Sequence, residues 1–142
     1  MKKLAFAGMT IIFSMITLCL PNTGFCVVVP KTPLDVEGTD LEYRELLGVW
    51  KGSWGSTDNI ILIHKISAGK IYITHSWGDE DKSAERVGEI NKDDDTFFFN
   101  YTIPGAIFSL SCKKGATTMK GRRTISSSKK GSEVMGTFHK EK

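Results

Sequence analysis

The sequence predicts an all-β fold: an antiparallel up-and-down meander of about eight strands that closes into a small barrel behind a short N-terminal helix. Two observations carry that expectation. Turn-forming clusters recur at hairpin intervals, at Ala68-Gly69, Gly78-Asp79-Glu80-Asp81, Asn91-Lys92-Asp93-Asp94, Pro104-Gly105, Lys113-Lys114-Gly115 and Ser127-Ser128-Lys129-Lys130-Gly131. Between them lie short runs rich in β-branched and aromatic residues, opening with Gly48-Val49-Trp50-Lys51-Gly52-Ser53-Trp54. Short strands at such spacing belong to antiparallel sandwiches and barrels.

Residues 1–26 read as a signal peptide. Lys2 and Lys3 form a basic start, Leu4 to Leu20 an apolar run, and Pro21 to Cys26 a short exit whose Gly24 suits cleavage after Cys26. The competing reading is an uncleaved anchor. The apolar run of 17 residues, interrupted by Gly8, Thr10, Ser14 and Thr17, sits at the lower limit for a membrane span. A secreted or periplasmic protein is expected, with no stable membrane span after cleavage. Without Lys2 and Lys3, 17 basic residues face 16 acidic ones and the net charge falls from +3 to +1. That balance implies no nucleic-acid partner.

Residues 27–38, with Pro30 and Pro33, read as an extended arm or linker without a backbone ladder of its own. The barrel domain is expected over residues 39–142. Thr39-Asp40-Leu41-Glu42 has the spacing of a capping box. Tyr43, Leu46 and Leu47 then make one apolar face, and Gly48 ends the helix after about two turns.

Strand alternation places side chains inside or outside. A two-residue turn at Ala68-Gly69 or Gly69-Lys70 pairs even positions of 60–67 with odd positions of 70–77. One face then holds Ile60, Leu62, His64 and Ile66 with Ile71, Ile73, His75 and Trp77. The other holds Ile61, Ile63, Lys65 and Ser67 with Lys70, Tyr72, Thr74 and Ser76. The first face lacks lysine, so it is expected to face the core. The same reasoning turns Trp50, Trp54, Phe97, Phe99, Tyr101, Ala106, Phe108, Leu110, Cys112, Met119, Gly121, Arg123 and Ile125 inward, and Phe98 outward. Arg86 faces in if Glu85 and Glu89 face water.

The short helix followed by Gly48-x-Trp50 on the first strand of a meander resembles the calycin superfamily, which comprises lipocalins, avidins and related lipocalin-like proteins. The resemblance implies a lipocalin-like barrel with Gly48 and Trp50 as structural residues at its closed end. It also implies a basic residue from a late strand packed across Trp50, a part for Arg123 or else Arg122. Gly52-Ser53-Trp54-Gly55-Ser56 is similar to avidin, but biotin binding does not carry over, because the matching polar residues are not identifiable. The barrel is also short for a full lipocalin, with no C-terminal helix or disulfide after it.

The candidate ligand-binding residues are His64, His75, Trp77, Trp54, Arg123 and Tyr101. Inward aromatics with a few orienting polar groups make a pocket for a small apolar or amphipathic ligand, including one with an acidic group. Tryptophan rings can equally fill a small barrel as plain core. The imidazoles can equally bond to Tyr101, threonines or buried water. No metal is expected, since two histidines do not complete a coordination shell, and no cofactor is called for. The acidic tips at Asp79-Glu80-Asp81 and Asp93-Asp94-Asp95 lack the spacing of a calcium loop and read as solvated turns. Cys112 reads as a small buried apolar residue. No catalytic motif is present, and the protein is not expected to be an enzyme. The rival reading is a protein-protein interaction module, an inhibitor or surface-binding protein, with a filled core and exposed Phe98, Ile61, Ile63 and Tyr72. A monomer or small homo-oligomer is expected.

Overall fold

The computed structural model describes residues 27–78, 82–126 and 132–142. The signal peptide expected over 1–26, the acidic tip at 79–81 and the turn at 127–131 lie outside the described residues. Eight strands form a closed antiparallel barrel in sequence order: β1 (Gly48–Trp54), β2 (Thr57–Ser67), β3 (Lys70–Trp77), β4 (Lys82–Asp93), β5 (Thr96–Ile103), β6 (Ala106–Lys113), β7 (Thr118–Ile125) and β8 (Ser132–Lys140). The last strand closes on the first from Trp50↔Lys140 to Trp54↔Gly136, so no sheet edge is left open.

The predicted N-terminal helix is not there. Residues Leu41–Leu46 form only a short 3-10 segment, without a side-chain cap. The Thr39 hydroxyl is used elsewhere, donating to Asp35 O at 2.7 Å and accepting from Ile66 N at 3.1 Å. Asp40 follows the same pattern: its N–H donates to Ile66 O at 2.9 Å and its carboxylate accepts from Ala68 N at 3.0 Å. A local capping signal has thus been taken over by a tertiary task, the tethering of the β2–β3 hairpin.

The arm before it runs along the outside of that hairpin. Asp35 N donates to His64 O at 2.7 Å, the Asp35 carboxylate pairs with Lys65 at 2.9 Å, and the Thr32 and Thr74 hydroxyls lie 3.5 Å apart. Lys65 and the Gly38 N–H together hold the Asp35 carboxyl below its ordinary range.

The interior of β2 corrects the expected faces. The hairpin pairs Ile66↔Ile71 across Ala68-Gly69, but the register shifts between Ile63 and Lys65. That bulge inserts His64 as an unpaired residue, and one extra residue exchanges the two faces beyond it. Above the bulge the inward pairs are Ile63↔Ile73, Ile61↔His75 and Asn59↔Trp77. Ile61 and Ile63 are therefore core residues, while Ile60 and Leu62 lie on the outer side along which the arm runs. On β3, which has no bulge, Ile71, Ile73, His75 and Trp77 are placed as predicted.

One end of the barrel is closed. Trp50 is fully buried there and donates Nε1–H to Leu46 O at 2.9 Å. The 3-10 turn lays Tyr43 against Phe97, ring centres 5.5 Å apart, and the Glu45 carboxylate accepts from Gly115 N at 2.6 Å. The cation across Trp50 is Lys140, with Nζ 5.7 Å from the ring centre and bonded to Glu45 O. This corrects the expectation for Arg123, which sits near the end of β7, and β7 starts rather than finishes at the Trp50 end. Cys112 is free and buried at the same end, its thiol pushed up to about 11 by burial.

Trp54 occupies the middle of the barrel, tilted against Phe108 and Phe138 at 5.5 and 5.1 Å. Two inward glycines make room for its indole. A Cβ added at Gly121 would stand 2.7 Å from it, and one at Gly136 2.5 Å.

Candidate functional site

The end opposite Trp50 holds a half-open cavity of about 270 Å³. The strands deliver its lining by their ends. Thr57 and Asn59 come from the start of β2, His75 and Trp77 from the end of β3, and Ile103 to Ala106 from the β5–β6 turn. Phe108 comes from β6, and Arg123 and Ile125 from the end of β7. Gly105 at φ +86° lets that turn close tightly at the rim, a conformation that favours glycine.

His75 is the polar centre of the cavity wall and is 1% exposed. Its protonation follows from its neighbours. Asn59 donates Nδ2–H to Thr57 O at 2.6 Å, which turns Oδ1 towards His75 Nε2 at 2.7 Å. An amide oxygen only accepts, so Nε2 carries the proton. Nδ1 then keeps its lone pair and accepts from the Tyr101 hydroxyl at 3.1 Å. Both ring nitrogens are thus spent within the protein. Burial, with the Arg123 charge adding to it, pushes the His75 pKa down to about 3, so the ring is neutral at pH 7. Aromatic rings hold it in place: Phe108 at 5.0 Å, Trp77 at 5.6 Å and Tyr101 at 5.8 Å meet it edge-on, while Tyr101 and Phe108 stack 4.9 Å apart.

Arg123 is different. Its Nε is buried and has no hydrogen-bond partner, and among the described residues no carboxylate pairs with its guanidinium. Trp54 Nε1, beneath the Phe108 floor, is the other buried donor without a partner.

Of the predicted site residues, the structure brings His75, Trp77 and Arg123 together on the cavity wall. Tyr101 lies one layer behind, bonded to His75, and Trp54 belongs to the core below. His64 is not in the interior: its ring lies outside the barrel, 6.5 Å from Tyr72, half-buried beside the arm. Burial pushes its pKa down, opposed by Glu85 and Asp35. Arg86 is drawn to the seam between β4 and β5, where their pairing has ended, and donates to Thr102 O at 3.1 Å and Glu85 O at 2.7 Å. Asn59 was missed because the bulge reverses the face it occupies.

Among the described residues, no cluster of three or more His, Cys, Asp or Glu side chains converges as a metal site would require. Comparison of the chain with protein-family models, curated proteins and solved structures finds no match.

Proposed function

We propose that the protein is a lipocalin-like binding protein of the secreted or periplasmic space, holding a small apolar or amphipathic molecule in the open end of its barrel. The observation that carries this reading is the cavity above Phe108, walled by Trp77, Ile103 and Ile125. Its volume of about 270 Å³ lies just below the range of about 300–1,000 Å³ usual for drug-sized ligands. It holds the share of about nine water molecules, so the ligand is compact and a long acyl chain would protrude. The lipocalin likeness draws support from the 3-10 turn ahead of β1, Trp50 at the closed end and Lys140 across its ring.

The rival reading, an interaction module with a filled core, has less behind it. Ile61 and Ile63, two of the side chains it would expose, are fully buried in the core. Phe98 is exposed, but the pocket at the barrel mouth favours the binding reading.

The test is a tryptophan fluorescence titration with 2-naphthalenemethanol, run on the protein and on an Ala106→Phe variant that fills the cavity. A saturable change lost in the variant supports the reading. No saturable change in the parent protein, or the same change in both, overturns it.

A further inference from the structure

We infer that the ligand is a compact organic carboxylate, seated with its apolar body against Trp77 and Phe108 and its head on Arg123. This rests on the cavity being a binding site, as proposed above, and adds the chemistry of the head group.

The inference comes from asking which polar groups at the cavity still lack a partner. His75 has both nitrogens engaged, one by Asn59 and one by Tyr101. The Asn59 amide accepts from His75 and donates to Thr57 O. The Tyr101 hydroxyl gives its proton to His75. What remains among the described lining residues is Arg123, whose Nε–H is buried and has no acceptor. An unsatisfied buried donor is costly, and more so when charged. Among the described lining residues, the buried donor without a partner is therefore Arg123 Nε–H, and the acceptor that suits it carries negative charge.

The neighbours sharpen the choice. The other nearby arginines are occupied, Arg122 by Glu133 at 3.4 Å and Arg86 by main-chain carbonyls. His75 is neutral, so among the described lining residues Arg123 is the one cation, and it balances one negative charge. A guanidinium presents parallel donors to a planar two-oxygen acceptor, which a carboxylate matches. The remaining walls, the Trp77 ring, Ile103, Phe108 and Ile125, offer mainly apolar contact to the rest of the molecule.

Isothermal titration calorimetry at pH 7 with 2-naphthoate and the neutral, nearly isosteric 2-naphthamide separates the two claims. The parent protein is expected to bind naphthoate at least about tenfold more tightly, the scale of a charge-assisted hydrogen bond. In Arg123→Met that preference should vanish while naphthamide affinity holds. Equal affinities in the parent protein would overturn the carboxylate inference and leave the cavity reading standing, and binding of neither probe would overturn both. The parent ratio decides the matter if Arg123→Met fails to fold.

Discussion

His75 donates Nε2–H to Asn59 Oδ1 at 2.7 Å inside the barrel, and the carbonyl of Thr57 anchors that amide in turn. With Tyr101 on the other nitrogen, a hydrogen-bonded chain crosses from β5 through β3 to β2. The chain ties the cavity wall across three strands and keeps its histidine uncharged, so the proposed recognition falls to Arg123 and the apolar walls. In Tyr101→Phe the His75 lone pair loses its donor and stays buried. The expected loss is about 1–3 kcal/mol of unfolding free energy, read from urea denaturation.

The depressed pKa of His75 has a pH signature. The folded value of about 3 lies below the ordinary 6.5, so between those limits the unfolded chain binds a proton that the native chain does not. Stability is therefore full above pH 6.5 and is lost as pH falls from there towards 3, by up to about 1.4 kcal/mol per pH unit. Denaturation of His75→Phe should show a shallower slope across that window. Identical slopes would mean that His75 titrates normally.

Trp54 depends on the two glycines facing it. A methyl group at position 136 would meet the indole and the Ser53 carbonyl, and overpacking of this kind costs about 1–3 kcal/mol. Gly136→Ala should lower the urea midpoint accordingly, and Trp54→Phe in the same chain should recover part of the loss, the coupling expected of touching groups.

Thr39 and Glu42 distinguish a tether from a helix cap. Thr39→Val strips the Ile66 N–H of its acceptor and should cost about 1–3 kcal/mol. Glu42→Gln removes only an exposed pair with Lys92 at 3.6 Å and should fall within about 1 kcal/mol of the parent. A true capping box would make both substitutions costly.

The closed end predicts an asymmetry between two basic residues. Lys140→Met should destabilise the protein by about 1 kcal/mol through loss of the Trp50 contact and the Glu45 carbonyl bond. Arg123→Met should have no such effect on the environment of Trp50, since it acts at the opposite end. Trp50 indole chemical shifts in the two variants check this directly.

Alternation along the strands was a sound guide wherever a strand is regular. Trp50, Trp54, His75, Trp77 and Arg123 all point inward, as period-two patterning requires. It failed on β2, where a bulge at His64 reverses every face beyond it. Nothing marks that bulge in the sequence, because its carbonyl partner, Asp35 N, lies 29 positions earlier in the chain. The same cause hid Asn59 and promoted His64. The capping box was a true pattern in the sequence, overridden because Ile66 N competes for the same hydroxyl. Which basic residue crosses Trp50 was illegible for a different reason, since it depends on which end of the barrel each late strand reaches.

The three tryptophans stand at three depths: Trp77 on the cavity wall, Trp54 below the floor and Trp50 at the closed end. Titration with 2-naphthoate, followed by the three indole N–H resonances, tests the binding cavity most directly. The expected result is a saturable shift largest at Trp77, smaller at Trp54 and negligible at Trp50. Saturation with no shift at Trp77, or shifts confined to the outer surface around Phe98 and Met135, would contradict it.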